Sequence, residues 1–507
     1  MPGKGIKTNS LWNISNYGFS VVSLFFLFPF MIKHLGDSNY GFFIFLGTIN
    51  GMASIANFGF GEASLRFVAL YHNSNDKSSI KRIISTSFWT YILLGSVTTI
   101  TIVLLAEPIV GLLKDLQFDL KQAIYLVRIS AVTFLIRFIF GLFSTIPQAV
   151  QRFDVSSKIA IIETILRVVF YIVVLLTGHG LMGVVYAELL LAIIVSAINI
   201  TISSKLLDTS DFFSKFTSGT LKEIFNYSIF SFLTQIVGLL WQYTDRILLG
   251  FFIGSAAIAY FSVPQQIIFK ILGLVAAASV VLFPRFSLTK LDNRSKNLFK
   301  EFTLISLLFT IIVFSTLSLV VKDFIALWIT PEFAAETKSI AVILSVSCMI
   351  RGAFPVYENL FKGIGKPVNN MYITIASSLI IVILDFLLIP RLGLNGAGLA
   401  YLISPIVGVF AIIYIWKRIL KTSLDGPFKD YLMPLILSYA LLAIFFFIKT
   451  RINIEPSWTN IIFQVLGFVI IQALMIFTYF RLFSRQSWET VLKVRYSVRE
   501  IFKRDQQ

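Results

Sequence analysis

Residues 225–286 read FNYSIFSFLTQIVGLLWQYTDRILLGFFIGSAAIAYFSVPQQIIFKILGLVAAASVVLFPRF, two long apolar segments joined by the tight uncharged turn Gly250-Phe251-Phe252-Ile253-Gly254-Ser255. The first segment carries Asp245-Arg246 near its end, and the second holds Lys270 at its centre. Each is long enough to cross ~30 Å of hydrocarbon as a helix of about 20 residues. An ionised side chain in such a helix is expensive unless it meets a partner or a water-filled cavity. These charges therefore point to a membrane bundle with a polar, predominantly cationic interior, as a transporter requires.

The same pattern runs along the chain. It is 57% hydrophobic and only 14% charged, with mean hydropathy +0.84, whereas globular domains carry about 25% charged residues. Lipid is the solvent this composition suits. Windows of about 20 apolar residues predict fourteen spans, near 11–32, 40–70, 83–106, 122–146, 158–177, 181–203, 223–249, 257–283, 301–321, 339–361, 368–389, 396–416, 431–448 and 458–480. The second is long, and Asn57, Gly59 and Gly61 mark a kink that lipid tolerates when neighbours satisfy the freed backbone groups. Met1 to Ser10 is basic but leads into a full span without a small-residue cleavage site, so no cleavable signal peptide is expected.

Lysine and arginine set the orientation. With the termini and every second loop on one side, that side holds 28 Lys/Arg and the other holds 8. The positive-inside rule then places both termini in the cytoplasm. The remaining seven lie inside spans: Arg66, Arg128, Arg137, Arg167, Arg246, Lys270 and Arg351. The net charge of +17 is thus a loop asymmetry, and no soluble module is present to carry nucleic-acid binding. The basic tail from Arg481 to Arg504 suits a membrane-hugging role. Ser203 to Lys222 reads as a polar linker between bundles.

The two halves echo each other. Gly180-Leu181-x-Gly183-x-x-x-Ala187 matches Gly393-Leu394-x-Gly396-x-x-x-Ala400 at an offset of 213. Leu35-Gly36 resembles Ile253-Gly254 at an offset of 218, and the tyrosines that follow, Tyr40 and Tyr260, are 220 apart. Six spans repeat as six, with two appended. An even number per repeat makes the repeats parallel, and substrate sites in such transporters lie at the repeat interface near mid-membrane.

Enzyme chemistry finds little support. His34, His72 and His179 sit at loops or span ends without metal-ligand spacing. The single cysteine, Cys348, rules out an intramolecular disulfide or a cysteine cluster, and no GxxxxGK[ST] phosphate loop occurs. No catalytic residue, metal site or cofactor is expected.

The spans also contain Glu62, Glu163, Glu188, Asp245, Glu358 and Asp385. Glu163 and Arg167 have the i,i+4 spacing of a helix ion pair. Glu62 and Arg66 share that spacing, as a packed pair or as a cation with a titratable neighbour. Lys270 and Arg351 have no acid within four residues, and Arg137 is similarly central in its span. Arg66, Arg137, Lys270 and Arg351 are the candidate substrate-binding cations, competing with ion pairing across helices. Arginine grips phosphate bidentately, so such a set suits an anionic substrate. Glu62, Asp245 and Arg246 are candidates for coupling or gating.

A family resemblance rests on short motifs in order. They are Lys33-His34-Leu35-Gly36 with Tyr40-Gly41, Asn57-Phe58-Gly59-Phe60-Gly61 with Arg66, and Asp245-Arg246-Ile247-Leu248-Leu249-Gly250. Phe283-Pro284, Lys362-Gly363-Ile364-Gly365-Lys366-Pro367 and Ile389-Pro390-Arg391-Leu392-Gly393-Leu394-Asn395-Gly396-Ala397-Gly398 complete the set. Together they resemble the polysaccharide-biosynthesis (Wzx-type) branch of the multidrug/oligosaccharidyl-lipid/polysaccharide exporter superfamily.

The resemblance implies an all-α membrane fold of about fourteen helices, MATE-like, in two parallel-repeat six-helix bundles plus two C-terminal helices. The expected boundaries are 1–204 and 221–420 for the bundles, 205–220 for the linker, 421–482 for the extra helices and 483–507 for a basic cytoplasmic tail. It implies a non-enzymatic flippase of a bacterial or archaeal cytoplasmic membrane. The cargo would be an undecaprenyl-pyrophosphate-linked oligosaccharide for O-antigen, capsule or exopolysaccharide, moved by alternating access. Protons, sodium or the membrane potential would drive it, and a polysaccharide polymerase and other assembly proteins are expected partners. Three alternatives remain: a proton- or sodium-coupled exporter of small cations, a membrane enzyme of polysaccharide assembly, and a non-catalytic scaffold for the assembly complex.

Overall fold

In hydrocarbon no water is available to pair a backbone N–H or C=O, so an apolar run must close its own hydrogen bonds as a helix. The computed structural model describes residues 6–115, 119–208, 212–279, 282–287, 293–421, 428–452 and 455–483, and every regular element among them is helical. The basic tail lies outside them.

The helices are α1 (Ile6–Leu35), α2 (Asp37–Ala53), α3 (Phe60–Asn73), α4 (Lys77–Leu104), α5 (Ala106–Gly111), α6 (Leu120–Ala149), α7 (Phe153–Leu176), α8 (Gly180–Leu207) and α9 (Ser218–Phe252). Then come α10 (Ser255–Ser279), α11 (Leu282–Ser287), α12 (Asn293–Trp328), α13 (Pro331–Arg351), α14 (Phe354–Gly363), α15 (Pro367–Leu392), α16 (Leu394–Ile403), α17 (Ile406–Tyr414), α18 (Met433–Arg451) and α19 (Trp458–Phe483). Among the described residues, twelve candidate spans are long and apolar enough to cross a membrane, or thirteen when the bent α2–α3 pair counts as one. The 35-residue α9 coincides with the remaining expected span. The protein is a multi-pass membrane protein.

The breaks have local causes. Between α2 and α3 the chain bends by 54°, through a 3-10 turn and two left-handed residues, Phe58 (φ 48°) and Gly59 (φ 76°). This is the kink that Asn57, Gly59 and Gly61 foretold. Asn57 Oδ1 accepts from Gly61 N at 3.0 Å and from Tyr91 OH at 2.9 Å, which replaces part of the lost ladder. A second span breaks between α13 and α14, and a third between α16 and α17, where Pro405 follows Ser404.

The internal repeat is visible in backbone geometry. Gly180 and Gly393 both have positive φ, 54° and 59°, and each stands at the start of its helix. A Cβ on Gly183 would press into Val174, and one on Gly396 into the Leu388 backbone. The two motifs thus make the same close turn between consecutive helices. Gly36 and Gly254 also share positive φ and precede α2 and α10.

By packing, the chain forms two units, Met1–Ala259 and Tyr260–Gln507. In the first, α6 packs on α4 and α8, α1 on α7, and α9 on α2 and α3. The division expected at 205–220 therefore differs from the packing division, because α9 takes its neighbours from α2 and α3. Aromatic residues Phe60, Phe88, Tyr91, Phe143 and Phe212 dominate a buried cluster there. In the second unit α12 is central, packed against α13, α18 and α19. The two C-terminal helices are locked to it by a buried polar knot. Gln472 Nε2 donates to Ser315 Oγ (2.8 Å) and to Ser438 Oγ (3.0 Å), joining α19, α12 and α18.

Candidate functional site

Three helices of the first unit, α6, α7 and α8, bring four charges together. Arg137 on α6 donates from Nη1 to Glu163 Oε1 at 3.0 Å and from Nη2 to Glu188 Oε2 at 2.9 Å. Arg167 on α7 donates to the same two acids, Nη2 to Glu163 at 2.6 Å and Nε to Glu188 at 2.9 Å. Tyr171 OH also donates to Glu188. Two cations and two anions form a closed ring, which removes the penalty that any one of them would meet alone in hydrocarbon. The i,i+4 pair read from the sequence is one side of this ring.

Arg137 is also a wall residue of a cavity of about 380 Å³ bounded by the α2–α3 break, α4 and α6. Asn50, Ser54, Asn57, Tyr91 and Thr145 supply further polar atoms to its lining, beside Phe134 and Phe138. Asn50 Nδ2 is held by Ser130 Oγ at 2.8 Å, while Asn50 Oδ1 is buried without a hydrogen-bond partner among the described residues. The wall therefore offers one guanidinium, an open acceptor and several hydroxyl or amide groups. Such a mixture suits a ligand carrying both negative charge and hydroxyls.

The other expected cations take different places. Arg66 is exposed on α3, its guanidinium 4.2 Å from the Tyr227 ring centre, a cation–π contact. Glu62 is exposed one turn earlier, and among the described residues no ion pair joins the two. Asp245 on α9 is buried, and its Oδ1 accepts from the backbone N–H of Arg246 at 2.7 Å. Arg246 is half-buried with its guanidinium 5.8 Å from the Tyr243 ring centre. Lys270 is half-buried on α10 and is not among the residues that line the Arg137 cavity.

Arg351 departs most from expectation. It is 8% exposed and, among the described residues, no carboxylate pairs with it. Its Nη2 donates to Tyr401 O (3.1 Å) and Ser404 Oγ (2.6 Å), and its Nε to Ser347 Oγ (3.3 Å). The rings of Phe269, Phe354 and Tyr401 stand about 6 Å from the guanidinium. It is a buried pin at two helix breaks, and it does not line the Arg137 cavity. Of the four candidate substrate cations, Arg137 alone lines that cavity. The sequence reading passed over Asn50 and Tyr91; the usable signal was an asparagine in an apolar span just before the Asn57–Gly61 break.

Comparison with known proteins agrees with this architecture. The family described as "Polysaccharide biosynthesis protein" matches residues 3–290. A putative O-antigen transporter of Shigella flexneri is 22% identical over 428 residues, covering 82% of this chain and 98% of that protein. The teichuronic acid biosynthesis protein TuaB of Bacillus subtilis (strain 168) is 25% identical over 220 residues, 42% of this chain and 43% of that protein. Among solved structures, lipid II flippase MurJ in an inward closed conformation superposes with TM-score 0.74 at 17% identity, covering 93% of this chain and 99% of that chain. An inward-facing multidrug resistance MATE family transporter of the MOP superfamily gives TM-score 0.61 at 18% identity, covering 82% and 94%. The fold is the MATE-like one, and the chain belongs to the polysaccharide biosynthesis protein family, the Wzx-type branch to which its motifs pointed.

Proposed function

We propose that this protein is a flippase for lipid-linked oligosaccharide, with undecaprenyl pyrophosphate as the carrier. It is a transporter and not an enzyme, in keeping with its family and with the O-antigen transporter it resembles. The carrying observation is Arg137, a guanidinium at a polar cavity wall held in a ring of equal and opposite charge. A pyrophosphate entering the cavity takes over the Arg137 bonds from Glu163 and Glu188, while Arg167 stays bonded to both acids. Sugar hydroxyls find Asn50, Ser54 and Tyr91, and the polyprenyl chain stays in lipid.

Alternating access between two six-helix bundles, with both termini cytoplasmic, completes this reading. Protons, sodium or the membrane potential supply the drive. The potential alone is useful to an outward-moving anion, at about 2.3 kcal/mol per charge per 100 mV. A polysaccharide polymerase and other assembly proteins are the partners such a step hands its product to.

The test is oligosaccharide translocation in cells lacking this protein, rescued by wild type or by Arg137→Gln. Rescue by wild type alone, at equal expression, supports the reading. Failure of wild type on every oligosaccharide, together with export of a cationic dye, sinks it.

A further inference from the structure

The second unit holds a larger cavity, about 940 Å³, at one end of its helices. The end of α12, the start of α13, the start of α16 and the end of α18 all reach it. In the orientation proposed above this is the outer end, the side poor in cations. Only 8 Lys/Arg lie in loops on that side, and three of them, Lys322, Lys338 and Lys449, line this one cavity.

The charges divide into two groups. Lys449 is occupied: its Nζ lies 2.9 Å from Asp323 Oδ2 and 2.9 Å from Leu319 O, and Asp323 is buried. That pair fastens α18 to α12. Lys322 and Lys338 are exposed, and among the described residues neither makes an ion pair. Glu455 is the one remaining carboxylate of the lining. Val342, Leu399 and Phe446 give the cavity apolar walls below these charges. A volume of this size admits a lipid headgroup with part of its chains.

Cationic rim over apolar wall, at the membrane surface, is the complement of an anionic amphiphile. We infer that this cavity binds a phosphate-bearing headgroup at the outer surface through Lys322 and Lys338, separately from the Arg137 cavity. Lysine suits the task because its ammonium binds phosphate as a point charge without fixed geometry.

The test measures binding, not translocation, so it stands or falls apart from the flippase reading. Purified full-length protein in neutral detergent is titrated with phosphatidylglycerol, with phosphatidylcholine as the uncharged comparison. Lys322→Gln/Lys338→Gln is set beside Lys114→Gln/Lys121→Gln, outer cations away from the cavity. Two lysines near a membrane surface contribute about 1 kcal/mol each, so the first variant should weaken phosphatidylglycerol binding by about tenfold or more. The second should leave it unchanged, and melting temperatures should match wild type. Competition by millimolar inorganic phosphate would identify a soluble phosphate ligand; no competition would identify a membrane lipid. Equal phosphatidylglycerol and phosphate binding in wild type and Lys322→Gln/Lys338→Gln overturns the inference.

Discussion

Arg351 Nη2 lies 3.1 Å from the carbonyl oxygen of Tyr401, the acceptor that Pro405, four residues on, cannot serve because it has no N–H. Ser347 Oγ donates to the same oxygen at 2.6 Å. The guanidinium thus stands where a turn of helix is missing, at the end of α13 and the break between α16 and α17. Removing it strands polar groups in a dry setting, at about 1–3 kcal/mol. Arg351→Ala should lower the melting temperature in detergent and reduce abundance. Pro405→Ala restores an N–H opposite Tyr401 O and should recover part of that loss. No recovery in the double variant would show that Arg351 acts elsewhere.

Arg137 should behave differently. Its loss leaves Glu163 and Glu188 sharing Arg167, and it strips the cavity of its guanidinium. Arg137→Gln should reduce oligosaccharide translocation by about tenfold or more, from the loss of charge-assisted bonds to substrate of 1.5–3 kcal/mol. Arg128→Gln, an exposed residue on the same helix, should leave transport within twofold of wild type. Equal transport by both variants removes Arg137 from the substrate path.

Gly41 tests the packing of α2. A Cβ there would collide with the Ser255 carbonyl at the start of α10, and Ser38 Oγ meets Ser255 Oγ at 2.6 Å alongside. Backbone cannot yield as a side chain does, so Gly41→Ala should destabilise by about 1–3 kcal/mol. Gly47→Ala on the same helix meets open space and should be neutral or slightly stabilising. Thermal denaturation of the two purified variants decides the matter.

The fold was largely legible because lipid imposes one solution on any long apolar run, and the glycine motifs at Gly180 and Gly393 encode a turn that only positive φ can make. The break at Asn57–Gly61 was legible for the same reason. The packing division was not, since nothing local in Ser218–Phe252 says that α9 will seek α2 and α3. The site was half legible. Glu163 and Arg167 announce themselves by spacing, but Arg137 and Glu188 join them across helices, which periodicity along one helix cannot show. Arg351 misled for a physical reason: without a nearby acid it resembled a cavity cation, whereas the Tyr401 carbonyl left free by Pro405 and the Ser347 and Ser404 hydroxyls bond it.

A last prediction concerns acid. Asp76 caps α4, accepting from Ser79 Oγ at 2.6 Å, Ser79 N at 3.0 Å and Ser78 Oγ at 2.7 Å. The Ser79 hydroxyl, the Ser79 backbone N–H and the Ser78 hydroxyl hold its carboxyl down at about 2, below the ordinary 3.8. A pKa lower in the folded state means that the cap's contribution is fully present above pH 3.8 and is lost as pH falls through about 2. Asp76→Asn keeps an acceptor at the cap but cannot titrate. The melting-temperature difference between wild type and Asp76→Asn should therefore be constant above about pH 5 and shrink as pH drops from 4 to 2. A difference that stays constant through that window would show that folding does not lower the Asp76 pKa.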